Sequence, residues 1–268
     1  MLSIIINHYK SPEVLKLCLN YAIKNAPQES EFIVTDSETT DKSETMMRHD
    51  FPDVKFIPEP KNIGFAKSVN RGIKASSGEF ILIINADVII SNSSAVPTMI
   101  EYMKKNPDVG MLGPRLLNIN GEHQDSCFRF YSPKTIFARR TPFGKTRWGK
   151  KELDRFLMRD SAINAPIPTD WLMGSAMLVS KSALKNVGLI SEDYFMYMED
   201  VDWARNFWRK NYKVVYFPNV FLYHYHFQSS RKRGAILDIL TNKYARIHLV
   251  SAIKYFRKFG IKTPKYGV

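Results

Sequence analysis

The chain has only two cysteines among its 268 residues, Cys18 and Cys127, and they stand far apart. That excludes a disulfide framework or a cysteine-built zinc cluster and fits a reducing cytoplasm. No apolar run approaches the ~20 residues that span a bilayer. The first residues, M-L-S-I-I-I-N-H-Y, carry no basic stretch ahead of their short apolar run and no small-residue cleavage site. They read as a strand and not as a signal peptide. No G-x-G-x-x-G follows that strand and no G-x-x-x-x-G-K-[ST] occurs anywhere, so neither the dinucleotide fingerprint nor the P-loop applies.

Acid is the scarcer charge, with 26 Asp and Glu against 39 Lys and Arg, a net charge of +13. The excess is local: Lys134 to Arg159 contributes +7 and Arg231 to Lys265 contributes +9, leaving −3 for the rest. A hydrophobic content of 44% with 13% aromatics excludes a disordered chain, and this length buries a substantial core as one domain or two.

What is present reads as alternating strands and helices. Ser3 to His8 has the pattern of a buried strand. Ser11-Pro12-Glu13 then supplies an N-cap, a proline at the first helical position and an early acid for a helix ending near Asn25–Pro27. Strands follow at Phe32–Thr35, Val54–Ile57 and Phe80–Ile84, with a polar turn from Asp36 to Ser43 and a helix from Phe65 to Ala75. This order predicts an α/β fold, a Rossmann-like mixed, mostly parallel sheet flanked by helices. Ligands of such sheets bind beyond the carboxyl ends of the strands, here Asn7 to Tyr9, Asp36 to Thr39 and Asn85-Ala86-Asp87. Asp36, taken alone, reads more readily as a turn residue bonding its own backbone.

Five of the scarce acids fall in the thirteen positions from Ser191 to Trp203: Glu192, Asp193, Glu199, Asp200 and Asp202. The residues after Tyr197 have the spacing of a helix start, whose positive dipole end favours carboxylates. Neighbouring helical residues point in different directions, so Glu199, Asp200 and Asp202 divide among cap, anchor and reactive roles.

Four segments in order carry a resemblance: V-T-D-S-E-T-T-D-K-S at Val34–Ser43, N-I-G-F-A-K-S-V-N-R-G at Asn62–Gly72, I-N-A-D-V at Ile84–Val88, and the block Trp171–His226. Together, from about Ser3 to Gln228, they resemble inverting family 2 glycosyltransferases, in particular the rhamnosyltransferase-like enzymes of bacterial cell-surface polysaccharide synthesis. The resemblance implies a GT-A fold, a nucleotide-sugar donor and a divalent metal, Mn or Mg. It places a catalytic domain at 1–230, with a nucleotide-sugar-binding half at 1–115 and an acceptor and catalytic half at 116–230.

Residue by residue, the resemblance implies a donor site at Asn7, Tyr9, Asp36, Asn62, Gly64, Phe65, Asn70, Asn85 and Asp87. Ser37 and Glu38 depart from the family's usual residues after the acid, so the base stays open between dTDP-rhamnose and a UDP-hexose. Asp87 matches the last carboxylate of a D-x-D-like metal motif whose first position is Asn85 here. His224, in Y-H-Y-H, matches the histidine that completes that metal site; His226 shares its face of a strand. Trp171, Gly174 and Glu199 belong to the acceptor side, and Asp200 matches the catalytic base. A non-catalytic sugar-nucleotide or glycan-binding protein, its metal site decayed at Asn85, is the alternative.

The tail at 231–268 opens on Arg231-Lys232-Arg233 and repeats Ile236, Leu240, Tyr244, Ile247, Val250, Ile253 and Phe256 at helical spacing. Such a basic amphipathic helix either lies on an anionic membrane or packs on the core with a solvated basic face. Segments 134–159 and 231–265 are thus the expected membrane contacts of a cytoplasmic, peripheral enzyme acting on a glycan linked to lipid. No nucleic-acid-binding motif accompanies them, so nucleic acid is not an expected partner.

Overall fold

A computed structural model describes residues 1–159, 164–225, 242–264 and 266. Strand β1 (Leu2–Tyr9) leads into α1 (Pro12–Asn25), then β2 (Ser30–Ser37), α2 (Asp41–Asp50), β3 (Lys55–Glu59), α3 (Phe65–Ala75) and β4 (Phe80–Asn85). These four strands lie in the order β3-β2-β1-β4, all parallel. Ile4 and Ile6 of β1 point into one core with Leu15 and Leu19 of α1, while Ile5 points into the other with Val69 of α3. The near-continuous apolar runs follow from that burial on both faces.

Beyond β4 come the short β5 (Val88–Ile89), α4 (Ala95–Lys105), β6 (Val109–Leu117), β7 (His123–Gln124) and β8 (Cys127–Phe128). Next are α5 (Pro133–Arg140), a 3-10 turn at Pro142–Lys145, α6 (Arg147–Phe156), β9 (Ile167–Pro168), β10 (Trp171–Leu172) and β11 (Ala176–Ser180). The described chain closes with α7 (Lys181–Val187), α8 (Glu199–Arg209), β12 (Lys213–His224) and α9 (Lys243–Phe259). Strand β11 enters antiparallel between β4 and β6, and β12 runs parallel to β6, so the sheet is mixed as expected. Residues 115 and 116 both lie within β6, and one sheet runs through both halves of the chain.

Two local expectations change, and the packing that is one of the two readings of the tail is seen. Within the expected polar turn, Asp41 to Ser43 instead opens α2. Thr40 caps it by accepting from Ser43 N, and Met47 is its one buried apolar side chain. Ser11 takes the N-cap position of α1 without a side-chain cap; its backbone N–H donates to His8 Nε2 at 3.0 Å. Helix α9 packs on the protein through Ala245, Ser251, Ala252 and Tyr255, leaving Val250 and Ile253 half exposed. Small residues on the inner face let the helix approach closely. His226, Arg231 to Arg233, Ile236, Leu240 and Lys265 lie outside the described residues.

Candidate active site

The carboxyl ends of β1 and β4 form the floor of a cleft of about 330 Å³. The parallel register sets Asn7 beside Asn85. The I-N-A-D segment is tied down by its backbone: Ala86 N donates to Asn7 O, Asn85 N to Ser175 O, and Tyr225 N to Asp87 O at 2.8 Å. The last bond extends the antiparallel pairing of β5 with β12, which sets His224 opposite Val88. His224 Nε2 thereby approaches Asp87 Oδ1 to 3.4 Å.

The orientation of that imidazole is decided by Gln124, a hundred residues earlier. Gln124 Nε2 donates to His224 O at 3.0 Å and to Asn118 Oδ1, so its Oε1 faces His224 Nδ1 at 2.8 Å and accepts from it. With the ring proton on Nδ1, Nε2 points at Asp87 as an acceptor. Asp87 Oδ1, Asn85 Oδ1, Asn7 Oδ1, Ser175 Oγ and Glu199 Oε2 are buried without a hydrogen-bond partner among the described residues. Buried polar atoms are rarely left so, and with Ser37 Oγ these are six of the twelve such atoms among the described residues, gathered in the lining of one cleft, which marks it as a place for a polar ligand.

No group of three or more His, Cys, Asp or Glu able to hold a metal forms among the described residues. Asp87 and His224 nevertheless fit a hard divalent cation. An imidazole nitrogen and a carboxylate oxygen face each other 3.4 Å apart across the cleft, and Mg2+ takes its remaining ligands from phosphate and water.

On the opposite wall the turn N-I-G-F clamps two loops together. Asn62 Oδ1 accepts from Gly64 N at 2.9 Å, and Phe65 N donates to Phe195 O at 3.1 Å. Gly64 has φ +85°, and a Cβ there would lie 2.4 Å from Phe195 O, so glycine is required.

The three acids at the start of α8 separate as helical geometry demands. Asp202 is fully buried and turned away from the cleft; it accepts from Tyr194 Oη at 2.9 Å and Asn206 Nδ2 at 3.0 Å, and pairs with Lys258 at 2.7 Å. It is the anchor. Glu199 and Asp200 line the cleft. Asp200 Oδ1 accepts from Val201 N at 2.9 Å and Oδ2 from Gly174 N at 3.2 Å. Burial pushes Asp200 up to about 6 even so, which still leaves it mostly ionised at neutral pH. Burial, and then the neighbouring Asp200 charge, push Glu199 up to about 8. The pair therefore holds roughly one proton between its two carboxyls at neutral pH.

Most expected site residues meet here: Asn7, Tyr9, Asn62, Gly64, Phe65, Asn85, Asp87, Gly174, Glu199, Asp200 and His224 all line the cleft. Three do not. Asp36 is fully buried, and its Oδ1 lies 2.7 Å from His8 Nδ1. Because Ser11 N can only donate to His8 Nε2, the ring proton sits on Nδ1 and is given to Asp36. Asn70 bolts α3 to the segment after α7, exchanging bonds with Ile190 N and O and donating to Glu192. Trp171 is buried, stacked on Phe128 at 4.3 Å with its indole N–H on Arg129 O. The cleft also takes in His8, Ser37, Met173, Ser175, Met196 and Tyr197; of these the methionines read from sequence as packing alone.

This sheet order with its cleft defines the GT-A glycosyltransferase fold. Over 98% of its length the chain is similar, at TM-score 0.62 and 19% identity, to 65% of the mannosyltransferase PcManGT from Pyrobaculum calidifontis, solved in complex with GDP-Man and Mn2+. The family model for glycosyl transferase family 2 matches residues 3–188, and the chain belongs to that family. Asp200, His224 and α9 lie beyond the matched residues. Among sequence relatives, an N-acetylglucosaminyl-diphospho-decaprenol L-rhamnosyltransferase of Mycobacterium tuberculosis is 26% identical over 216 residues, 76% of this chain and 69% of the relative. A low-salt glycan biosynthesis hexosyltransferase of Haloferax volcanii is 26% identical over 217 residues, 80% of this chain and 63% of the relative.

Proposed function

We propose that this chain is an inverting glycosyltransferase that moves a sugar from a nucleotide-diphosphate donor to a hydroxyl of a growing cell-surface glycan. The observation that carries the reading is one cleft lined by two kinds of group. Asp200, held by Gly174 N, is a carboxylate suited to accept a proton, and Asp87 with His224 forms the facing pair suited to a diphosphate's counter-ion. In the transfer, the acceptor oxygen bonds to the anomeric carbon as the bond from that carbon to the diphosphate breaks. Asp200 takes the hydroxyl proton, and the diphosphate leaves with the bonding electrons. A Mn2+ or Mg2+ ion held by Asp87 and His224 would supply stabilisation of the charge on the departing diphosphate. Glu199, protonated beside an ionised Asp200, is placed to donate a hydrogen bond to a substrate oxygen.

The rhamnosyltransferase named among the relatives favours dTDP-rhamnose as donor and a diphosphate-linked lipid as the acceptor's anchor, with a UDP-hexose as the other candidate. A membrane-facing surface supports the lipid-linked acceptor. Helix α9 exposes Leu249, Val250 and Ile253 between Arg246 and Arg257, and it contains no acid. The α5–α6 region exposes Phe137, Phe143 and Trp148 among Lys134, Lys145 and Lys150. Among the described residues no helix is long and apolar enough to cross a membrane. The reading is of an enzyme resting on the inner face of the plasma membrane.

The test is thermal unfolding against a panel of sugar nucleotides with and without Mn2+. A donor at a hundredfold its Kd adds ~2.7 kcal/mol, which raises the midpoint of a chain this size by roughly 5–10 °C. A Mn2+-dependent shift with one donor names the substrate. No shift with any donor refutes the reading.

A further inference from the structure

Asp200 is the second residue of α8, so its direction depends on the turn that feeds the helix. In that turn Tyr197 and Met198 both take positive φ, +69° and +71°. Residues with a Cβ hold this conformation only where their surroundings over-determine it. Three carbonyls of the segment are held from outside. Phe195 O accepts from Phe65 N on the donor side of the cleft. Met196 O accepts from Ser251 Oγ at 2.8 Å, and Asp193 O accepts from Lys254 Nζ at 2.6 Å. Both of the latter donors belong to α9.

Ser251 is buried, and its hydroxyl bonds the turn instead of a carbonyl of its own helix. Beside it the Tyr197 ring lies 5.0 Å from the His248 ring. One turn further on, Lys258 reaches Asp202 in the first turn of α8. Buried Ser251 and the exposed lysines Lys254 and Lys258 of α9 thus support both the strained turn and the start of the helix that carries the base. The outer face, with its exposed apolar and basic residues, is a separate matter.

We propose that Ser251 and Lys254 are positioning residues for sugar transfer, holding the Asp193–Met198 segment in the conformation that directs Asp200 into the cleft. The proposal rests on the reading of Asp200 as base. Neither residue bonds the donor floor built by β1 and β4, and Phe195 O keeps its bond from Phe65 N when they are removed, so the loss falls more on the chemical step than on donor capture. A purely structural role would instead lower the unfolding midpoint without dividing kcat from KM.

The test uses the full chain with Mn2+ and the variants Ser251→Ala, Lys254→Met and their combination, with Ser251→Thr retaining the hydroxyl. Nucleoside diphosphate release from UDP-glucose, UDP-N-acetylglucosamine, GDP-mannose and dTDP-rhamnose, with water taking the sugar in place of the glycan acceptor, gives kcat and donor KM, and hydrogen–deuterium exchange reads the amides of residues 193–203. Positioning at the ångström scale is worth up to ~10²-fold in rate. The double variant is therefore expected to lose 10-fold or more in kcat with donor KM within about twofold, and to exchange faster at 193–203 while β1 and β4 exchange as in the wild type. Ser251→Thr is expected to recover most of the Ser251→Ala loss. Unchanged kcat and unchanged exchange in the double variant overturn the proposal, as does a fall in kcat matched by a rise in donor KM and a lower midpoint. Should the wild type release no nucleotide from any donor, exchange at 193–203 alone decides whether α9 holds the turn, while the transferase reading stands or falls on the donor-dependent unfolding shift.

Discussion

Replacing Glu199 by Gln removes one of two adjacent buried acids while keeping its volume, and the consequence for stability depends on pH in a defined way. Burial and the Asp200 charge raise Glu199 from an ordinary 4.5 to about 8 in the folded protein. Between those values the folded chain holds a proton that the unfolded chain releases. Stability from this group is therefore complete below 4.5 and falls as pH rises through about 8. At ~1.4 kcal/mol per pKa unit the full swing has a ceiling near 5 kcal/mol, and relaxation around the charge brings it to roughly 2–5 kcal/mol. Gln has no proton to lose, so Glu199→Gln escapes the decline. The measurement is thermal unfolding at pH 5, 7 and 9 with EDTA present, so that metal binding plays no part. The variant's midpoint should exceed the wild type's by little at pH 5 and by roughly 4–15 °C at pH 9. A difference that stays constant across that range, or shrinks with pH, refutes the account of the coupled pair.

Four further outcomes are expected. The rate of nucleotide release should rise with pH through about 6 as Asp200 loses its proton, and a rate flat from pH 5 to 8 would exclude it as the base. Gly64→Ala forces a Cβ against Phe195 O at positive φ, and should cost about 1–3 kcal/mol in denaturant unfolding while weakening donor binding. His8→Ala strips the buried Asp36 of its donor and should destabilise by ~1–3 kcal/mol, read by the same unfolding midpoint. Leu249→Glu with Ile253→Glu should abolish sedimentation with phosphatidylglycerol vesicles and leave the unfolding midpoint nearly unchanged, because both side chains are half exposed.

Strands β1 and β4 are legible because parallel strands buried on both faces are nearly continuous apolar runs, as at Ile4-Ile5-Ile6 and Ile81-Leu82-Ile83-Ile84. Helix α2 is hidden because D-K-S-E-T-M-M-R-H-D buries little besides Ser43 and Met47, too few for a hydrophobic period. In α9 the stripe of larger apolar residues draws the eye, yet packing is done by Ala245, Ser251 and Ala252, whose small size permits close contact, together with buried Tyr255. Spacing alone could say that Glu199, Asp200 and Asp202 divide their roles. Which acid is the anchor depends on Tyr194 and on Lys258 from a distant helix. The orientation of His224 by Gln124 and the burial of Asp36 under His8 likewise rest on contacts 100 and 28 residues apart. No local pattern encodes them.

The central claim is that Asp200 is the base of a sugar transfer, and its most direct test compares wild type with Asp200→Asn. Nucleoside diphosphate release and donor binding would be followed on the same preparations, with Mn2+ and the donor that shifts the unfolding midpoint. General-base catalysis contributes about 10²–10⁴-fold, so the variant is expected to lose at least a hundredfold in kcat while binding the donor as tightly as the wild type. An Asp200→Asn protein that is folded, binds donor and transfers at a near-normal rate would contradict it.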